Sequence, residues 1–118
     1  MLGLRIEELP NHLPRGTKDT VWLPFVGNQG WVALTMDLFK DDPEEQLALI
    51  VHGVPVFVLV GQATQQQRAD VFLRKLKWVR RTIAARTEPF MARISVATGN
   101  HTITSFNDLM NRYARRRR

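Results

Sequence analysis

Gly30-Trp31-Val32-Ala33-Leu34-Thr35-Met36-Asp37 is the stretch on which the fold turns. Between the turn glycine and the closing acid only Thr35 breaks an apolar run. A run of this kind reads as a strand buried on both faces, as in a parallel sheet covered by helices. Downstream, Asp42 reads as an N-cap, with Pro43 at the first helical position and Glu45 at the third; the helix runs through Leu47, Ile50 and Val51 and stops at Gly53. Val54 to Val60 is a second buried strand with Pro55 near its start. Thr64 and Gln67 form a capping box that opens the longest helix, whose apolar stripe is Ala69, Phe72, Leu73, Leu76, Val79 and Ile83. Thr87-Glu88-Pro89 breaks it. Phe90 to Val96 is a further strand, Thr98-Gly99-Asn100 turns it, and His101 to Thr104 continues as a hairpin partner. Asp108 to Arg118 reads as a weak helix or a frayed tail.

Upstream of the opening stretch, Thr17 is a helix cap with Asp19 in the first turn, where the helix dipole favours a carboxylate. Val21, Trp22, Phe25 and Val26 follow, and Pro24 makes this helix short or distorted before Gly27-Asn28-Gln29-Gly30 ends it. Leu4 to Leu9 reads as a short strand stopped by Pro10. Helices alternating with buried strands imply right-handed crossovers and a three-layer α/β/α domain with a mainly parallel sheet. Functional groups in such sheets collect at the carboxyl ends of the strands, which singles out the segments after Met36 and after Val60.

The length of 118 residues allows one domain, and 44% hydrophobic with 24% charged residues is ordinary globular chemistry. The absence of cysteine excludes disulfides, zinc ribbons and cysteine nucleophiles and is compatible with a reducing cytoplasm. Val54 to Val60 is too short to span a membrane, and the first residues lack the order of a signal peptide. The expectation is a cytoplasmic protein with no membrane partner. The net charge is +6, yet residues 112–118 hold five of the 17 basic residues, which leaves twelve against 11 acidic ones, a net of +1, for residues 1–111. The expected organisation is a nearly neutral body carrying a basic tail.

Asp37 is the sharpest chemical candidate, because a buried strand ending in Thr-x-Asp sets a carboxylate at the functional edge of the sheet, and Asp19 can reach the same edge. Two such carboxylates form a hard-oxygen site suited to Mg²⁺ or Mn²⁺, ions that activate water in phosphodiester cleavage. The alternative is that both are helix caps or loop residues. Asp41, Asp42, Glu44 and Glu45 add acid nearby, with a capping role already explaining Asp42 and Glu45. His12, His52 and His101 show no paired metal spacing, and Ser95 and Ser105 no nucleophile elbow. Arg74, Lys77 and Arg81 share a helix face that either is simply solvated or touches RNA phosphates. Arg115 and Arg116 belong to a terminal run that is either a nucleic-acid contact or a solubility tail.

Several segments together resemble a known family. Pro14-Arg15-Gly16-Thr17-Lys18-Asp19-Thr20-Val21-Trp22-Leu23-Pro24 is similar to the GT-x-D-x-x-W-[IL]-P segment of PIN-like domains, and residues 30–37 to their G-W-V-x-L-T-x-D. Pro43 to Leu49, Gly53 to Leu59 and Pro89-Phe90-Met91-Ala92-Arg93-Ile94 continue the likeness, which covers roughly residues 4–97. These domains include the VapC-type toxin ribonucleases of bacterial toxin–antitoxin pairs. The resemblance implies Mg²⁺- or Mn²⁺-dependent RNA cleavage, with Asp19 and Asp37 as metal-holding catalytic acids and Thr35 orienting the second. It also implies a cognate antitoxin that blocks the site and a tendency to form homodimers. The family pattern opens with a strand ending in Asp that precedes the point where this chain begins. The expectation is therefore an N-terminally truncated PIN-like domain over residues 1–104 and a basic C-terminal tail over residues 105–118. Rival readings are an inactive remnant that only binds a partner protein and a small nucleic-acid-binding protein acting through its tail.

Overall fold

A central sheet carries helices on both faces. In the computed structural model, described here for residues 12–14, 17–36, 43–86 and 88–116, the elements are α1 (Asp19–Asn28), β1 (Ala33–Thr35), α2 (Pro43–His52), β2 (Val56–Val60), α3 (Gln65–Arg74), α4 (Leu76–Ala85), β3 (Met91–Ser95), β4 (His101–Thr104) and α5 (Phe106–Arg116). The strand order is β1-β2-β3-β4, with the first two pairings parallel and the last antiparallel. The strand expected over Leu4 to Leu9 and the cap expected at Asp42 lie outside the described residues.

Alternation along β2 builds the two outer layers. Val56 and Val58 pack with Trp22, Leu23 and Val26 of α1, Leu49 of α2 and Leu109 of α5. Phe57 and Leu59 face the other way, onto Val71 of α3 and Val79 of α4, with Phe90 and Ile94. Phe57 meets Phe90 and Trp78 edge-on, at ring centroids 5.6 and 6.0 Å apart, the arrangement that aromatic quadrupoles favour. The result is the expected α/β/α sandwich, with α1, α2 and α5 on one face and α3 and α4 on the other.

Local chemistry sets the element ends. Gln67 N–H donates to Thr64 Oγ1 (3.1 Å) and Thr64 N–H to Gln67 Oε1 (2.9 Å), the reciprocal capping box read from the sequence. Gly53 closes α2 at φ 63°, with its N–H donating to Ile50 O and that of Val54 to Leu49 O. This left-handed closure satisfies the last carbonyls and suits glycine. Lys18, not Thr17, occupies the N-cap position of α1; the Thr17 hydroxyl donates instead to the Pro14 carbonyl. Pro24 sits inside α1, which nonetheless continues to Asn28.

Three elements differ from expectation. β1 spans three residues, and Leu34 is 47% exposed, because among the described residues β1 has a neighbour on one side only. The single long helix divides at Lys75 (φ −92°, ψ 1°) into α3 and α4. Backbone bonds carry the chain through the bend, Lys75 N–H to Val71 O and Val79 N–H to Lys75 O, so the axis turns without a proline or glycine. Residues 106–116, expected as part of a weak helix or basic tail, form α5, because Leu109 is 4% exposed in the core shared with α1 and α2.

Candidate functional site at the carboxyl edge of the sheet

β1, β2 and β3 run in parallel and end on one edge, at Thr35, Val60 and Ser95. The carboxyl end of α1 adjoins the start of β1, with Trp31 N–H donating to Val26 O at 3.1 Å. The end of α2 adjoins the start of β2, and Gly27 of α1 touches His52 of α2 there. Both helices therefore point their amino ends toward the carboxyl edge of the sheet. Asp19 is the first residue of α1, so its backbone is at that end, toward the edge where β1 leaves the sheet through Thr35 and Met36. Asp37 follows Met36 in the sequence and lies outside the described residues, as do Asp41, Asp42 and the Asp19 side chain. Among the described residues there is no group of three or more side chains that could hold a metal ion.

On the α3 face, a groove of about 590 Å³ opens beside the end of β1, a volume in the range of ligand clefts. Thr35, partly buried, lines it together with Leu34, Met36, Leu59, Phe72 and Arg68. Its walls are apolar, and Leu34, Met36 and Leu73 are well exposed. Thr35, Gln65 and Arg68 are its polar members, and Arg68 has its Nε buried without a hydrogen-bond partner. A guanidinium held in an apolar wall with an unused donor favours an anionic group.

The basic residues sort into two layers. Arg74 closes α3, and Lys77 and Arg81 lie exposed on α4, so these share one face of the molecule. Arg115, exposed, and Arg116, the last residue of α5, belong to the opposite layer. One sheet separates the two sets, and they do not form a single patch.

The sequence reading passed over a cluster on the α3–α4 face. The Lys75 ammonium donates to Nδ1 of His101 at 2.7 Å and lies 5.3 Å from the centre of the Trp78 ring. His101 stacks on Trp78 with centroids 3.8 Å apart and planes 20° from parallel. A bond received at Nδ1 fixes the neutral imidazole with its proton on Nε2. The partial covering of the ring, and then the Lys75 charge, lower the His101 pKa from its ordinary 6.5. No spacing rule finds this cluster, because its members are up to 26 residues apart.

Comparison with known proteins adds one match. A family profile described as a PIN-like domain matches residues 1–61, just over half of the chain and ending with β2. No curated protein and no solved structure matches.

Proposed function

The chain belongs to the PIN-like domain family, a nuclease-type family, and from that premise we propose that it is a divalent-metal-dependent endoribonuclease serving as the toxin of a bacterial toxin–antitoxin pair. The observation that carries this reading is that the start of α1, which is Asp19, and the end of β1, which precedes Asp37 in the sequence, lie toward the same edge of the sheet. Carboxylate oxygens are the hard donors that Mg²⁺ and Mn²⁺ take, so Asp19 and Asp37 are the residues that would hold such an ion. When bound, the ion polarises a phosphoryl oxygen and makes water a better nucleophile. Thr35, at the end of β1, positions the chain that leads into Asp37. Arg74, Lys77 and Arg81 hold the RNA backbone by charge, and Arg115 and Arg116 give a weaker contact from the opposite layer. The groove beside β1, whose rim exposes Leu34, Met36 and Leu73, is the surface an antitoxin blocking the site would cover. The same exposed walls favour a second reading, a partner-binding protein without activity.

The test is RNA cleavage by the purified chain with Mn²⁺, with Mg²⁺ and with chelator, beside Asp37→Asn. Expected is metal-dependent cleavage that falls more than about a hundredfold in the variant, since even outer-shell partners of a metal are worth 10–100-fold. Cleavage that survives both chelator and Asp37→Asn refutes the reading. A folded wild-type chain that cleaves nothing supports the partner-binding alternative.

A further inference from the structure

The geometry points to Lys75 and His101, braced on Trp78, as a phosphate-binding subsite for single-stranded RNA at the far end of the carboxyl edge. This deepens the ribonuclease reading by naming where the substrate is held away from the carboxylates.

Position comes first. Thr35, Val58, Arg93 and Thr102 form one row across the sheet, and Leu59, Ile94 and His101 form the next row toward the carboxyl edge. His101 therefore lies at the same edge as the end of β1, three strand spacings or about 14 Å away. An RNA chain crossing that edge passes both.

Charge is the second argument. From residue 71 to residue 87 the sequence contains Arg74, Lys75, Lys77, Arg80, Arg81 and Arg86 and no acidic residue. The flanking carboxylates are Asp70, which accepts from Gln66 Nε2 at 2.9 Å, and Glu88 beyond the end of α4. Around His101, the α3–α4 junction contributes Lys75, α4 contributes the Trp78 ring, and β3 contributes the uncharged Ile94 opposite it. Among the described residues the contacts of this pair are with each other and with the Trp78 ring, and no carboxylate joins them, so an external anion is the complementary partner.

The chemistry of the pair supplies the rest. At neutral pH the Lys75 ammonium is held by the Nδ1 lone pair of His101. Protonation of Nδ1 ends that bond and leaves two cations side by side, a pair that repels unless an anion bridges it. A phosphodiester carries two free oxygens, one for the Lys75 ammonium and one for the imidazolium. RNA binding is then coupled to proton uptake by His101, and affinity rises as pH falls through the range below 6.5.

The experiment is fluorescence anisotropy with a labelled 12-nucleotide oligouridine, the full chain and excess EDTA, from pH 5 to pH 8 and over a range of salt. Expected for the wild type is a several-fold gain in affinity from pH 7.5 to pH 5.5. His101→Gln removes that gain. Since His12 and His52 remain in the variant, the loss isolates His101. Lys75→Met weakens binding at every pH and lowers the magnitude of the log–log salt slope by about 0.7, the value for one single-strand phosphate contact. An unchanged pH profile in His101→Gln, or an unchanged salt slope in Lys75→Met, overturns the subsite. Binding of poly-glutamate with this profile, without binding of the RNA, assigns the surface to an acidic protein and also overturns it. A chain that binds in this way yet never cleaves with metal refutes the ribonuclease and keeps the subsite; cleavage without any His101 dependence of binding does the reverse.

Discussion

Gly27→Ala sets two effects of opposite sign against each other. Inside a helix, alanine is favoured over glycine by about 1 kcal/mol, so propensity alone makes the substitution stabilising. A Cβ at Gly27, however, meets the backbone carbonyl oxygen of His52 at 2.7 Å and His52 Cβ at 3.1 Å. The carbonyl belongs to the last residue of α2, just before the Gly53 closure, and it yields only if the whole helix end moves. Overpacking of this kind costs about 1–3 kcal/mol. With the contact being to backbone, the upper part of that range applies, and the net effect is a loss of about 1–2 kcal/mol. Urea unfolding followed by Trp fluorescence reads it directly, since Trp22 is buried in the same cluster. At a slope of about 1.5 kcal/mol/M the midpoint falls by roughly 1 M. Asn28→Ala, at the exposed neighbouring position, gains propensity without the contact and raises the midpoint slightly. A Gly27→Ala midpoint equal to or above that of the wild type refutes the close packing of α1 on α2.

Two further substitutions test the frame of the site. Thr64→Ala removes one half of the capping box at the start of α3 and lowers stability by about 1 kcal/mol in chemical denaturation, with fraying detectable by amide exchange at Gln65 to Gln67. Leu109→Ala leaves a cavity under α5 and costs about 2–4 kcal/mol; a cost within a few tenths of zero would show that α5 is not docked.

The layered α/β frame was legible because β2 and its neighbours obey simple rules. Apolar runs gave the buried strands, Thr64 and Gln67 gave a helix start, and Gly53 gave a helix stop. The bend at Lys75 was not legible, since neither glycine nor proline marks it and backbone hydrogen bonds continue through it. The exposure of Leu34 was missed because an apolar run says nothing of how many neighbours its strand has. In α5, the arginine-rich sequence gives no sign that Leu109 is covered by α1 and α2, a contact that only the fold brings about. Of the candidate site, Asp19 and Asp37 stand out as motif residues, and the structure puts Asp19 at the start of α1. Lys75, Trp78 and His101 come together only once the β3–β4 hairpin returns the chain to the helix bend.

The seating of Leu109 also orders the events of synthesis. It belongs to the core that α1, α2 and the sheet share, yet it is translated after every other residue of that core. At about 5–20 residues per second, the ribosome exposes the apolar faces of α1 and α2 for seconds before α5 arrives to cover them. β2 likewise waits for β3, whose first residue is made 35 positions after its partner Val56. The elements from α1 to β2 therefore emerge with both of their apolar faces still uncovered, the kind of nascent state that chaperones and proteases act on before a fold closes.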